Sequence, residues 1–405
     1  MLISIAFGLA MATPAGVLTG IALLVGSPDI LVTDYIYIAG LSAAVVNAAL
    51  VGLSGVGICL ACGHKPRGLS IAALWLLFGF AFFGKNILNI WPIIIGGLLY
   101  SRFVKIPFRD NVLITLFATA LSPAVSNSLW FGLDKPYIVL AYSTMMGVLI
   151  GFVIGPLAKA TIKAHDGFNL YNVGFAAGIL AIVINSAHQS FGVYFELSTY
   201  WSSGKDAELS LLIATLSFVL IAVGLALRGA SGLWASLRAL WKAPKESLDF
   251  YANHGDTAYI NMGIMGLISL LVASIAGVGL SGPIAGAIFS VMGFGASGKH
   301  PLNAGPIMLG GAIAAVTSTL GITPGIVVNI LFGTCLSPIT SSFGKLWGIT
   351  AGFVHMHLVT SLAITHGGMN LYNNGASAGF VATILVAIIR SIHEAKANRQ
   401  KGIAQ

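Results

Sequence analysis

Apolar runs and short polar breaks alternate along the whole chain. Runs fall near 3–26, 35–61, 68–84, 88–101, 111–133, 137–157 and 173–190, then near 209–227, 257–279, 281–297, 302–319, 325–343, 347–364 and 374–390. Most approach the roughly 20 residues that a helix needs to cross a bilayer; 88–101 is short and reads as tilted or incomplete. The pattern predicts an all-α integral membrane protein of about 14 membrane segments, seven in each half of the chain. Two runs carry a proline near their middle, at Pro123 and Pro338, where a helix must kink or break because proline lacks the backbone donor and clashes with the preceding turn.

The two halves repeat each other. His165-Asp166-Gly167-Phe168-Asn169-Leu170-Tyr171-Asn172 returns 201 positions later as His366-Gly367-Gly368-Met369-Asn370-Leu371-Tyr372-Asn373, and 147–178 shares 14 of 32 residues with 348–379. A second block recurs at an offset of 214: Gly84-Lys85, Leu88-Asn89 and Pro92-Ile93 match Gly298-Lys299, Leu302-Asn303 and Pro306-Ile307. Leu121-Ser122-Pro123 matches Leu336-Ser337-Pro338. The expected organisation is a first membrane repeat over 1–208 and a second over 209–405.

Composition supports lipid as the solvent. Apolar residues make up 57%, charged residues 8%, and mean hydropathy is +0.92, against about 25% charge in a soluble domain. The net charge of +8 lies in short loops, so it reads as topology rather than nucleic-acid binding. If each segment crosses once from an inside N-terminus, seventeen of the 20 lysines and arginines face the cytoplasm, leaving Lys85, Lys135 and Lys205 outside. An odd number of segments per half then runs the halves in opposite directions. Loop charge agrees: 62–67 and 102–110 are basic while their counterparts near 280 and at 320–325 are not, and 27–34 is acidic while 228–256 carries four basic residues. These features predict two inverted-topology repeats with broken helices, in the plasma membrane, with both termini cytoplasmic. Leu233, Trp234, Leu237, Leu240 and Trp241 recur at helical spacing in 228–256 and predict an amphipathic interfacial helix on the cytoplasmic face. Cys59 and Cys62 form a lone C-x-x-C, read as small core residues.

Polar residues kept in both halves of a greasy chain are the candidates for chemistry. Matching helix breaks in inverted repeats point to a binding site, which selects Ser122, Pro123, Ser126 and Asn127 with Ser337, Pro338, Thr340 and Ser341. The repeated motifs add Asn169, Tyr171 and Asn172 with Asn370, Tyr372 and Asn373. Asn172 and Asn373 are read as N-caps of the following helices, whose N-termini suit anionic or carbonyl groups; capping alone would explain the asparagines. Lys85 and Lys299 recur at opposite ends of the bilayer, so positive-inside selection does not explain both, and they could flank an anion path. His165, His366, His355 and His357 complete the candidates for gating or charge. His355 and His357, two residues apart on a helix, face different sides and form no joint metal site. All twelve acidic residues fall in loops or at segment ends, so no buried carboxylate is expected for a proton relay. Nucleotide-binding and hydrolase motifs are absent, and neither a metal nor a cofactor is expected.

The phrases FFGKNILNIWP (82–92) and HDGFNLYNVGFAAG (165–178) resemble an uncharacterised family of bacterial and archaeal multi-pass membrane proteins of unknown function, over most of the chain. The seven-plus-seven plan is similar to that of uracil permeases and anion exchangers, an analogy of architecture only; the mid-membrane glutamate of nucleobase permeases has no counterpart here. A five-plus-five layout like that of urea channels is the rival if some segments are re-entrant. The expected function is a secondary transporter or facilitator of a small polar solute, neutral or anionic, bound between the repeats. Its partners would be that solute, the bilayer, a coupling ion and, as a further candidate, a second copy of the chain. The alternatives are a membrane-embedded enzyme using histidine acid–base groups and a non-transporting scaffold.

Overall fold

The computed structural model describes residues 1–29, 32–130, 135–194 and 199–403; Asp134 and Glu196 lie outside them. The described residues are almost wholly helical, with three isolated β-bridges and no strand. In chain order the helices are α1 (Leu2–Met11), α2 (Pro14–Val25), α3 (Tyr35–Ala61), α4 (Gly68–Phe80), α5 (Trp91–Phe103), α6 (Val112–Ala118), α7 (Ser122–Asn127), α8 (Pro136–His165), α9 (Asn172–Ser190) and α10 (Asp206–Arg228). There follow α11 (Leu233–Trp241), α12 (Phe250–His254), α13 (Thr257–Ala276), α14 (Gly282–Phe294), α15 (Pro301–Thr317), α16 (Pro324–Gly333), α17 (Ser337–Phe343), α18 (Lys345–Thr365) and α19 (Asn373–Ile403).

Every apolar run is helical, but their lengths differ. Among the described residues, eight helices are long and apolar enough to cross a membrane, counting α16 and α17 as one. The runs at 68–84, 111–133, 281–297 and 302–319 form shorter apolar helices, and the run at 3–26 is bent by 108° between α1 and α2. Thr13 and Pro14 cause that bend: the Thr13 hydroxyl caps Gly16, and proline starts the new helix. The surface suits lipid. Leu60, Phe103, Ile275 and Leu346 are each at least 74% exposed, which only a partner of similar apolarity can cover. The chain is a multi-pass membrane protein.

Equivalent contacts recur at repeat-related positions. Helix α5 packs on α8 as α15 packs on α18, α4 crosses α14, and α9 lies along α19. A Cβ at Gly96 would meet the Val148 carbonyl, and one at Gly310 the Ile349 carbonyl. Without interhelical water to expel, such close backbone approach is a main source of association in lipid. The bridges Asp34–Phe83 and Asp249–Ser297 also correspond. Asp34 accepts from the Gly282 amide at 3.1 Å and Asp249 from the Gly68 amide at 2.7 Å, so each aspartate holds the N-terminus of a helix in the other half. In the linker, α11 buries Leu237 and Leu240, exposes Trp234, and anchors Trp241 by a bond from its indole to Asn261.

Candidate functional site

Helices α4 and α14 both stop short of the bilayer's thickness, and a tight turn follows each. Gly84 (φ 73°) and Gly298 (φ 91°) take the left-handed conformation there, which a residue with a Cβ adopts only under strain. Asn47 closes the first turn, its amide donating to the carbonyls of Ala81 and Lys85; Asn261 does the same to Gly295 and Lys299. Asn89 donates to the Gly84 carbonyl and Ser126, and Asn303 to the Gly298 carbonyl and Ser341. The turns exist because these amides supply partners for backbone that the helices leave unpaired. Asn47 and Asn261 were missed in the sequence. They recur at the 214 offset, but as single residues in otherwise dissimilar runs.

These turns bury Lys85 and Lys299 completely. Lys299 donates to the Tyr171 hydroxyl at 2.6 Å and lies over the rings of Tyr171 and Phe294. Lys85 lies over Phe80, 5.2 Å from the ring centroid, and among the described residues its ammonium has no hydrogen-bond partner. Phe80–Tyr372 and Phe294–Tyr171 pair at 4.8 Å, and Tyr171 meets Tyr372 at 4.8 Å. The result is two lysine–phenylalanine–tyrosine chambers meeting at the two tyrosines. Among the described residues, only one is closed by a lysine–tyrosine bond, and the Tyr372 hydroxyl is buried without a partner.

The repeated motif positions each tyrosine. Asn169 and Asn370 accept from the amides of Tyr171 and Tyr372. Leu170 donates its amide to the Cys335 carbonyl and Leu371 to that of Ala120, so each motif docks beside the Ser-Pro break of the other half. The N-cap reading of Asn172 is corrected: it opens α9 without capping it, donating to the Ala158 carbonyl and pairing with His165. Asn373 pairs in the same way with His366 and the Val359 carbonyl. The helix before each motif already ends within reach, so the asparagine ties two helices instead. His165 and His366 are therefore clasps between consecutive helices.

The Ser-Pro breaks are smaller than expected. A single 3-10 turn, Thr119–Leu121 or Thr334–Leu336, precedes Pro123 and Pro338, which sit in the first turn of α7 and α17, where a missing amide costs nothing. Ser122 and Ser337 bond back to the carbonyls of Thr119 and Thr334. Ser126 and Ser341 support the lysine turns through Asn89 and Asn303, while Asn127 and Thr340 are buried with no partner among the described residues.

One expectation is overturned. Asp29 and Asp34 are fully buried, because the loop after α2 folds inward instead of lying in solvent. Asp29 accepts from the Tyr35 hydroxyl at 2.8 Å and the Asn89 amide at 3.1 Å, with the Ser126 hydroxyl, which accepts from Asn89, beside it.

Two cavities open into the protein, and the larger of them reaches the tyrosines. The larger, about 980 Å³, is walled by Leu113, Ile114, Phe117, Ala158, Lys159, Ile162, Leu170 and Asn172, and reaches Asn169, Tyr171, Phe294 and Tyr372; Lys65, Arg67 and Arg109 stand at its rim beside Asp110 and Asp249. The smaller, about 240 Å³, is walled by Val328, Asn329, Phe332, Val359, Thr360, Ala363, Leu371 and Asn373. These eight positions are the repeat equivalents of the eight wall residues just given. Neither wall includes Ser122, Pro123, Ser126, Asn127, Ser337, Pro338, Thr340, Ser341 or Asn370. His355 stands behind the smaller cavity: it pairs with Asn374, which donates to Asn329. His357 is on the exposed side of α18 against Phe353. No group of three His, Cys, Asp or Glu side chains is placed to hold a metal ion among the described residues.

The model of the family described as "Protein of unknown function (DUF1576)" matches residues 13–190 and 231–391. The chain belongs to that family. No curated protein and no solved structure matches it.

Proposed function

We propose that this protein is a secondary transporter or facilitator of a small polar solute, neutral or anionic, built from two inverted repeats of seven segments with both termini cytoplasmic. The carrying observation is the pair of cavities. Their walls use equivalent residues of the two halves; the larger reaches Tyr171 and Tyr372, and the smaller stops at Phe332, whose ring lies 6.1 Å from that of Tyr171, and at Leu371. In the topology favoured by loop charge, every loop at the rim of the larger cavity is cytoplasmic and every loop at the smaller is external. Equivalent entrances on opposite faces of one barrier are what alternating access requires. The cavity on the cytoplasmic side is the larger of the two, and on that ground the conformation reads as inward-facing.

The chemistry supports an anionic or neutral cargo. The buried lysine amines beside the tyrosines have no carboxylate partner among the described ion pairs, and intramembrane ionisable groups mark substrate paths. The basic rim would concentrate anions at the entrance. The solute-contacting residues in this reading are Tyr171, Tyr372, Asn169, Asn172 and Asn373, with Lys85 and Lys299 buried behind the tyrosines, outside both cavity walls, and the Ser-Pro segments supporting the turns.

Single cysteines placed at Leu113 and Val328, in a chain freed of Cys59, Cys62 and Cys335, test this reading. A membrane-impermeant thiol reagent should label Val328→Cys from outside intact cells and Leu113→Cys only from the cytoplasmic side. A transported solute should change the two labelling rates in opposite directions. Labelling of both positions from one face would overturn the proposal.

A further inference from the structure

Asp29 breaks the repeat. The Asn89 turn and the Asn303 turn have the same internal bonds, to Gly84 and Ser126 in one and to Gly298 and Ser341 in the other. Only the first adds a carboxylate; among the described residues no acid accepts from Asn303. The turn therefore stands without an aspartate, and Asp29 is not explained by architecture. A fully buried carboxylate costs several kcal/mol unless paired, and no lysine, arginine or histidine makes an ion pair with Asp29 among the described residues.

We propose that Asp29 is a proton-binding site, a carboxylate that takes up and releases a proton among Tyr35, Asn89 and Ser126. The groups facing it are Tyr35 of α3, Asn89 of the lysine turn and Ser126 of α7. Tyr35 is the one titratable group among them. Lys85, on the same turn, points to Phe80, and Asp34, on the same loop, is engaged by Ser202, Ile36 and Gly282. The set suits a proton better than a metal ion. Tyr35 and Asn89 direct hydrogens, not lone pairs, at the carboxylate. The side-chain carbonyls of Asn86 and Asn89 are occupied by the backbone amides of 86, 88 and 89. When a proton arrives from solvent, one carboxylate oxygen becomes a donor. The Tyr35 and Ser126 oxygens, which already accept from Asn86 and Asn89, can take it by rotating one hydroxyl. No other group changes charge. Through Asn89 the site is tied to the Lys85 turn, which packs on Phe80 and through it on Tyr372.

Infrared difference spectroscopy of the detergent-purified full chain, stepped from alkaline to acidic pH in choline chloride, reads this site without any solute. The wild type should show a pH-dependent carbonyl stretch of a buried carboxylic acid. Asp29→Asn should lose it and Asp34→Asn should retain it. Ser126→Ala and Tyr35→Phe, each removing one donor to the anion, should keep the band and move its midpoint up by about one to two pH units. These two variants keep the test alive if Asp29→Asn does not fold. A band that survives in folded Asp29→Asn, or a midpoint unmoved in both donor variants, would overturn the proposal. A band abolished by replacing choline with sodium would overturn it in favour of a metal-cation site. Cysteine labelling reports the cavities and this band reports Asp29, so the two proposals fail separately.

Discussion

Tyr171 and Tyr372 occupy the same position of a repeated motif, yet removing their hydroxyls should have unequal effects. Tyr171→Phe keeps the ring contacts with Phe294 and Tyr372 but deletes the 2.6 Å bond to Lys299. It leaves a fully buried amine unpartnered, at about 1–3 kcal/mol. Tyr372→Phe keeps the ring contacts with Phe80 and Tyr171 and deletes a buried hydroxyl that has no partner among the described residues, so it should be neutral or stabilising by up to about 1 kcal/mol. The two variants should therefore differ by about 2 kcal/mol. With an unfolding entropy of roughly 2 cal/mol/K per residue, a chain this long moves by about 1 °C per kcal/mol. Tyr171→Phe should melt about 2 °C below Tyr372→Phe in thermal unfolding of the detergent-solubilised protein. In a Lys299→Met background, Tyr171→Phe should cost almost nothing, because the interaction it removes is already gone. Equal melting temperatures for the two variants, or a lower one for Tyr372→Phe, would refute the unequal chambers.

Three further outcomes are expected. Gly84→Ala and Gly298→Ala should each destabilise by about 1–3 kcal/mol, since a Cβ there combines a left-handed backbone with contacts of 2.7 and 2.9 Å to Leu371 and Leu170; thermal unfolding reads both. Asp34→Ala should cost more than Asp249→Ala, about 2 against 1 kcal/mol in the same assay. Asp34 is fully buried and holds Gly282, Ser202 and Ile36, whereas Asp249 holds Gly68 and Ala252 and is better solvated. Asp166, in the loop after α8, has its carboxyl held below the usual range by its bond to Arg390, with Lys245 adding to the effect. A lowered folded-state value stabilises above the unfolded value and is lost as pH falls through the folded one. The small stability difference between wild type and Asp166→Asn should hold at neutral pH, begin to fall near pH 4, vanish only below the lowered folded-state value, and shrink in high salt because the group is exposed.

The sequence alone was enough to place the apolar helices along the chain, though not the 108° bend that divides the run at 3–26 or the short α12, because apolar periodicity and length are local properties and lipid leaves the backbone few other conformations. The self-repeat likewise pointed to Lys85, Lys299, Tyr171 and Tyr372, since a polar residue retained twice in an apolar chain stands out without coordinates. Only the tertiary structure decided how far those helices extend and what the polar residues touch. The loop of Asp29 and Asp34 reads as solvent-facing until it is seen folded against Asn89, Ser202 and Gly282. Asn47 and Asn261 read as isolated amides until their partners, 34 to 38 residues away, come into range. The Ser-Pro segments were chosen for what proline does to an isolated helix, but a 3-10 turn absorbs the break and turns them into supports. The walls of the two cavities come from helices far apart in the chain, and a one-dimensional pattern carries no record of which distant residues will share a surface.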